Sequence, residues 1–182
     1  MQQVAVAYAS RHGQTEKIAR YLAEGLGRRG LSFRLIDASG GPGRFDEEFD
    51  AVICGSPVYR GKFPASVVNW AKNHKQHINK MPSAFFTVTL NAADKRPQAR
   101  EADRLLRERF GLETACRPIL SASFAGALKY RSYWWPVRLL MKRISKKAGG
   151  DTDTSKDYEY TDWKQVDEFL ENFLIQLKKM RK

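Results

Sequence analysis

The sequence has no apolar run that approaches the roughly 18 residues of a membrane-spanning helix. Its first residues, Met1 to Val4, lack the basic start and the apolar stretch of a secretory signal peptide. The two cysteines, Cys54 and Cys116, are too few for a disulfide framework or a cysteine-based metal site, so we expect buried thiols and no bound metal. These absences predict a cytoplasmic protein, and a length of 182 residues predicts a single domain over residues 1–182.

Acidic residues are absent from Thr114 to Gly150, a stretch that contains eight Lys or Arg residues. The whole chain has a formal net charge of +12, which predicts an anionic partner: nucleic acid, an acidic membrane surface or an anionic substrate. No recognised nucleic-acid-binding motif occurs in the sequence, so we expect no nucleic-acid partner.

Strand-like and helix-like apolar periods alternate along the chain. They predict an α/β fold in which a parallel sheet is covered by helices on both faces. The predicted strands are residues 3–9, 31–37, 50–55, 83–90 and 116–125, and the predicted helices are residues 14–29, 64–79, 97–110 and 162–180.

The sequence also predicts where the second helix starts, which side of the third helix faces inward, and where the chain carries an insertion. Pro64 suits the first turn of the second helix. Four residues are expected on the inward side of the third helix: Ala102, Leu105, Leu106 and Phe110. About 35 residues separate the fifth strand from the last helix, where two to six would be usual. This excess predicts an insertion at about residues 127–160.

The loop from Ser10 to Thr15 joins the first strand to the first helix. A helix N-terminus offers unpaired N–H groups and a partial positive charge, which suit an anion. Gly13 lets the backbone approach a ligand closely, and the hydroxyls of Ser10 and Thr15 add donors. The same residues are also compatible with a simple helix cap.

Two further loops follow strands at the edge where doubly wound sheets bind ligands. The loop from Gly55 to Gly61 follows the third strand and contains two glycines and Tyr59, whose ring suits stacking on a flat ligand. Another loop begins at Thr89 and supplies polar groups for the edge of such a ring. The chain lacks the Gly-x-Gly-x-x-Gly pattern of a dinucleotide site.

The patterns Ser-x-x-Gly-x-Thr after the first strand and Gly-x-Pro-x-Tyr-x-Gly after the third resemble the flavodoxin family. The resemblance implies a doubly wound five-stranded parallel sheet of order 2-1-3-4-5 and FMN as cofactor. The phosphate would bind the first loop, and the isoalloxazine ring the second and third. The implied FMN-binding residues are Ser10, Arg11, His12, Gly13, Gln14, Thr15, Pro57, Val58, Tyr59, Arg60, Gly61, Thr89, Leu90 and Asn91.

Further segments are similar to the flavodoxin-like, menaquinone-dependent protoporphyrinogen IX dehydrogenases. They are Met81–Phe86, Ala125–Tyr130, Gly149–Thr154 and Tyr160–Trp163, so the resemblance spans essentially the whole chain. It implies six-electron oxidation of protoporphyrinogen IX to protoporphyrin IX in haem biosynthesis, with electrons passed to menaquinone or ubiquinone. This family often has Asp where the present chain has His12, which changes the charge at the phosphate end of the site.

The insertion contains the pattern of a basic amphipathic helix headed by paired tryptophans. Val137, Leu140, Met141 and Ile144 follow helical spacing, and cations occupy much of the rest. Such a helix suits an anionic membrane surface, here the inner face of the cell membrane, or the propionates of a porphyrinogen. An ordinary surface helix fits the spacing equally well. The candidate contact residues are Tyr130, Arg131, Tyr133, Trp134, Trp135, Arg138, Lys142 and Lys146.

Three other functions remain open from the sequence. A soluble flavodoxin-like electron carrier is disfavoured by the charge of +12, because such carriers commonly meet basic partners with an acidic face. An NAD(P)H:quinone reductase is a second alternative. A flavin-free membrane or nucleic-acid binding module would leave both flavin loops unexplained. No residue is assigned as a general base.

Overall fold

The computed structural model describes residues 2–40, 49–94, 96–132, 134, 138–139, 142–143, 145 and 151–180. Five strands form the main sheet: β1 (Gln3–Tyr8), β2 (Ser32–Asp37), β3 (Ala51–Pro57), β4 (Ser83–Thr89) and β5 (Leu120–Ala125). The long helices are α1 (Gln14–Arg28), α2 (Ala65–Ile78), α3 (Pro97–Thr114) and α4 (Trp163–Lys179). A separate pair of short strands is formed by β6 (Ala127–Leu128) and β7 (Tyr158–Glu159).

The strand order of the main sheet is β2-β1-β3-β4-β5, and every neighbouring pair is parallel. This order confirms the predicted doubly wound fold. All seven residues of β3 and all seven of β4 are buried, as expected for central strands that are covered on both faces. The carboxyl ends of β1, β3 and β4 lie together at one edge of the sheet, the edge at which doubly wound sheets bind ligands.

Helices cover the two faces of the sheet in pairs. On one face, α1 and α4 pack against β1, β3 and β4 through a shared apolar cluster. On the other face, Trp70 of α2 and Phe110 of α3 belong to a second cluster that also contains Cys54 and Cys116. The predicted inward face of α4 is confirmed, since all of its members are buried: Val166, Phe169, Leu170, Phe173, Leu174 and Leu177.

The orientation of α3 differs from the prediction. Leu105, expected to face inward, is 51% exposed, whereas Asp103 is only 4% exposed. The cause is the stacking of Phe110 on Phe85, whose ring centroids are 3.7 Å apart with nearly parallel planes. Fixing Phe110 inward also turns Asp103, two helical turns earlier, toward the sheet and turns Leu105 outward.

Two predicted element boundaries were also wrong. Pro64 is the residue before α2 and not part of its first turn. Strand β5 begins at Leu120 and not at Cys116, because the preceding backbone bonds elsewhere. The N–H of Arg117 donates to the side chain of Asn79, whose amide donates to the carbonyl of Ala115.

The described parts of the insertion fold back on the sheet edge. Strands β6 and β7 pair in antiparallel fashion, with Leu128 opposite Tyr158. Tyr130 is fully buried beside Leu128 in a small cluster, and its hydroxyl donates to the carbonyl of Asp151 over 2.8 Å. Among the described residues, no helix combines the length and apolar composition needed to cross a membrane.

Candidate functional site

The three loops singled out in the sequence lie at the carboxyl ends of β1, β3 and β4. Because these strands are neighbours in the order β1-β3-β4, their loops share one edge of the sheet. The first loop contains Ser10 to Thr15, the second Pro57 to Gly61 and the third Thr89 to Asn91. The sheet topology thus brings together the three predicted parts of a single site.

The first loop is shaped as an anion-binding turn. Gly13 adopts a φ of +83°, and its N–H donates to the Ser10 hydroxyl over 3.0 Å. Helix α1 begins directly afterwards at Gln14, and its N-cap, Gly13, provides no side-chain cap. The N–H groups of the first turn are therefore donors suited to a phosphate. A Cβ at residue 13 would meet no atom within 4 Å, so the glycine is required by the backbone angle and not by crowding.

Gln14 has a different environment from the one that the sequence indicated. Its Nε2 donates to the Thr161 hydroxyl over 2.8 Å, and that hydroxyl donates to the carbonyl of Ala125 over 2.7 Å. Since the single hydroxyl hydrogen is used by Ala125, the amide of Gln14 must be the donor to Thr161. The buried Oε1 of Gln14 has no hydrogen-bond partner in the described part of the chain.

The second loop is a tight hairpin turn. Tyr59 and Lys62 exchange two backbone hydrogen bonds of 2.9 and 3.0 Å. The two residues between them, Arg60 and Gly61, have φ values of +51° and +72°, the signature of a type I′ turn. Arg109 of α3 donates to the carbonyl of Gly61, which ties the turn to the helix layer.

His12 and Tyr59 join the first two loops. Their rings meet edge to face with centroids 5.8 Å apart. Burial lowers the pKa of His12, and the nearby charges of Arg11 and Lys129 lower it further. This direction of shift favours the neutral form of the imidazole. A bound dianion would reverse the electrostatic part of this shift and favour the protonated ring.

The third loop is a turn of 3-10 helix over Leu90–Ala93. Its cap is Thr89, whose hydroxyl accepts from the N–H of Asn91 over 3.1 Å. Leu90 packs against the cluster that contains Tyr130. This loop therefore connects the sheet edge directly to the insertion.

The insertion residues named from the sequence have different degrees of exposure. Tyr130 is fully buried, so the expectation of substrate or membrane contact is wrong for this side chain. Trp134 is 72% exposed, Arg131 and Lys142 are exposed, and Arg138 is half-buried. Tyr133, Trp135 and Lys146, with the apolar residues of the expected helix face, lie outside the described residues.

Sequence reasoning missed three side chains near the first loop. Thr161 bonds Gln14, Lys129 lies close enough to His12 to lower its pKa, and Glu159 forms an ion pair of 2.6 Å with Lys17. No local pattern could reveal these contacts, because Gln14 and Thr161 are 147 positions apart in the chain. Thr161 and Lys129 do lie in segments that carry the family resemblance, Tyr160–Trp163 and Ala125–Tyr130, whereas Glu159 lies in neither.

The chemistry of these residues fits a phosphate ester that carries hydroxyl groups and a flat ring. The first loop supplies hydroxyls and helix N–H donors for the phosphate. The buried, unpartnered Oε1 of Gln14 lies beside that loop and would be satisfied by a hydroxyl donor. Tyr59 stands on a rigid turn where its ring can flank a planar group.

Both thiols are buried, as predicted. Burial raises the pKa of Cys54 well above its usual range and also raises the pKa of Cys116. Neutral, enclosed thiols are poor nucleophiles, so we assign them to packing and not to chemistry.

Comparison with known proteins identifies the family. The model of the flavodoxin domain matches residues 5–155. Protoporphyrinogen IX dehydrogenase (quinone) of Escherichia coli strain K12 is 34% identical over 164 residues, which cover 90% of each chain. The protein of the same name from Leishmania major is 32% identical over 170 residues, covering 91% of this chain and 72% of the relative.

A solved structure agrees with the fold. The flavodoxin of Streptococcus pneumonia TIGR4 has a TM-score of 0.50 and 18% identity, covering 66% of this chain and 82% of that chain. The match leaves a third of this chain uncovered but less than a fifth of the flavodoxin, so this chain is the longer of the two. The chain belongs to the flavodoxin domain family and, within it, to the family of the quinone-dependent protoporphyrinogen IX dehydrogenases.

Proposed function

We propose that this protein oxidises protoporphyrinogen IX to protoporphyrin IX, with FMN as its resident cofactor and a quinone as electron acceptor. The observation that supports this most strongly is the similarity to dehydrogenases of that name over 90% of the chain. The substrate loses six electrons and six protons, which reduce three quinones to three quinols. FMN supplies the two-electron redox chemistry that no side chain of this protein provides.

The first loop is the proposed phosphate site. Ser10, Thr15 and the N–H groups of the first turn of α1 would hold the phosphate oxygens. Arg11 and Lys129 add positive potential at the same end, and after burial, the main cause, their charges lower the pKa of His12. These residues bind and orient the cofactor.

The second and third loops are the proposed ring site. The hairpin from Pro57 to Gly61 fixes Tyr59 beside the first loop, which supports a role in flanking the ring. Residues Thr89 to Asn91 are held by the cap of the 3-10 turn and can present backbone groups to the polar ring edge. We assign the remaining loop residues, Val58, Arg60 and Leu90, to the same site.

The insertion is the proposed contact surface for substrate and membrane. The protein is a single domain in which residues 127–160 form this insertion. Trp134 and Leu139 are 72% and 47% exposed, and Lys142 and Arg143, a few positions later in the sequence, are also exposed. Aromatic, aliphatic and cationic groups together suit the headgroup region of an anionic bilayer. We propose peripheral association with the cytoplasmic face of the cell membrane, where menaquinone or ubiquinone is available.

An anaerobic assay tests the proposed activity. The protein is reconstituted with FMN, and porphyrin fluorescence is followed after adding protoporphyrinogen IX, with and without a soluble menaquinone analogue. We expect porphyrin to accumulate over many turnovers with the quinone and to stop after substoichiometric formation without it. Bound FMN with no quinone-dependent porphyrin would contradict the proposed substrate, and NAD(P)H-dependent quinone reduction would then identify a reductase.

A further inference from the structure

The segment Tyr158–Trp163, which we call the return segment, leads the chain from the insertion back to α4. It lies against the first turns of α1, the helix that begins at the phosphate loop. Thr161 contacts Gln14, and Glu159 contacts Lys17. Trp163 follows along the same helix, with its ring 4.7 Å from that of Tyr21. The start of α1 and the end of the insertion are therefore packed together.

The Thr161 hydroxyl is the centre of this contact. It accepts from Gln14 of α1 and donates to the carbonyl of Ala125 at the end of β5. The neighbouring N–H of Tyr160 donates to the carbonyl of Gly126 over 3.1 Å. One partly buried hydroxyl thus joins the phosphate-loop helix, the last strand of the sheet and the return segment.

The ion pair beside it contributes less. Lys17 and Glu159 are 2.6 Å apart, but their side chains are 54% and 33% exposed. Exposed ion pairs of this kind contribute little, because water and salt screen them. The Nε1 of Trp163 also donates to Glu159 over 3.1 Å, which orients the carboxylate. The hydrogen bonds of Thr161 are partly buried and so better shielded from water than this exposed ion pair, which makes them the stronger part of the contact.

We infer that Thr161 is a positioning residue for the phosphate loop and that cofactor binding is coupled to the docking of the insertion. Thr161 holds the side chain of the first residue of α1, and so fixes the helix end that would face the phosphate. Coupling is reciprocal: a docked return segment strengthens FMN binding, and bound FMN stabilises the docked insertion. This inference rests on the proposed function, because it requires FMN at the first loop.

The coupling has a consequence for the apoprotein. Without FMN at the first loop, the return segment would be held less firmly against the start of α1, because the contacts of Thr161 and Glu159 with that helix would lose the support of the bound cofactor.

Titration of the apoprotein with FMN, followed by quenching of flavin fluorescence, tests the first half of this inference. Thr161→Val keeps the side-chain shape and removes both hydrogen bonds, and we expect FMN affinity to fall roughly fivefold to tenfold. Thr161→Ser keeps the hydroxyl and should stay within about twofold of the natural protein. Thr154→Val, a matched change elsewhere in the insertion, should have no effect.

Hydrogen exchange of peptides from residues 127–160, measured with and without saturating FMN, tests the second half. In the natural protein FMN should slow exchange there, and in Thr161→Val this protection should shrink. A merely structural role would speed exchange equally in both states. Thr161→Ala also removes both hydrogen bonds and introduces a smaller side chain, so it gives the same readout if Thr161→Val fails to fold.

Unchanged affinity and unchanged FMN-dependent protection in these variants would overturn the coupling while leaving the proposed function intact. Failure of the natural apoprotein to bind FMN at all would overturn both.

Discussion

At the scale of single residues, Asp103 is a buried carboxylate that the site does not use. It is 4% exposed, and burial raises its pKa to about 6 from 3.8, only partly opposed by Arg107. The folded protein therefore binds the proton more tightly than the unfolded chain, so this group lowers stability as pH rises through that interval. This loss of stability is fully present above about pH 6, and it vanishes below 3.8, the pKa of the carboxyl in the unfolded chain.

Asp103→Asn should therefore stabilise the protein by about 1–3 kcal/mol at pH 7.5, because the neutral amide avoids the burial of a charge. The gain should shrink toward zero near pH 4. Urea denaturation across this range measures it. Glu113→Gln, an exposed carboxylate on the same helix, should change stability by less than about 0.5 kcal/mol at every pH. A gain at Asp103 that does not depend on pH would contradict the assignment to charge burial.

Gly61 is required by its backbone angle. It has a φ of +72°, and a Cβ there would meet no atom within 4 Å. We expect Gly61→Ala to lower the free energy of unfolding by about 1 kcal/mol through backbone strain alone. Gly40→Ala is the control, since Gly40 has equally open surroundings and no positive φ. Thermal unfolding compares the two, and equal melting temperatures would show that the turn tolerates a side chain.

The sequence predicted where the loops lie in the fold, but it did not predict which groups two of the side chains contact. Ser10, Gly13 and Tyr59 were located correctly because turn chemistry is local. Gln14 was expected to face the ligand, but its amide donates to Thr161, a partner that only the tertiary fold provides. Tyr130 was expected at the surface, yet its ring is buried and its hydroxyl is bonded to Asp151.

At the scale of elements, β3 and β4 fit together through one glycine. Gly55 pairs with Phe86 across the two strands, and a Cβ at residue 55 would lie 2.1 Å from the Phe86 ring. We expect Gly55→Ala to destabilise the protein by about 1–3 kcal/mol through overpacking. Adding Phe86→Leu should recover part of that loss, so the double variant should be less destabilised than the sum of the singles.

Chemical denaturation of the four proteins in this cycle measures the coupling. If the losses of stability in the two single variants simply add up in the double variant, the backbone, and not the ring of Phe86, opposes the added methyl group.

The elements themselves were predictable because buried β-branched and aromatic runs alternate with helical periods. The orientation of α3 was not, since Leu105 and Asp103 occupy positions fixed by the stacking of Phe110 on Phe85. The start of β5 was placed too early because the bonds of Arg117 to Asn79 connect segments 38 positions apart. In each case a contact between distant segments overrode the local pattern.

At the scale of the whole molecule, the large positive charge is the feature that points to an anionic partner. The net charge is +12, and the acid-free stretch from Thr114 to Gly150 contributes eight cations. Each cation near an anionic bilayer contributes about 1 kcal/mol. In the described part of the insertion Lys142, Arg143 and Trp134 are all exposed, which supports attraction to anionic lipid.

Lys142→Glu/Arg143→Glu should therefore reduce pelleting with anionic liposomes more than tenfold at low salt, with little pelleting of any variant on neutral lipid. Lys72→Glu/Lys75→Glu, on the exposed side of α2, makes the same change in net charge far from the insertion in sequence. Equal losses in the two double variants would indicate attraction by net charge alone and would remove the proposed membrane face.

In the proposed reaction this protein transfers electrons from protoporphyrinogen IX to a quinone. The most direct test is an anaerobic count of quinol and protoporphyrin IX formed by the FMN-loaded enzyme. The proposed reaction predicts three quinols for each porphyrin, because six electrons leave the substrate and each quinone accepts two. Porphyrin formed without matching quinol, or quinone reduced only when a nicotinamide donor is supplied, would contradict it.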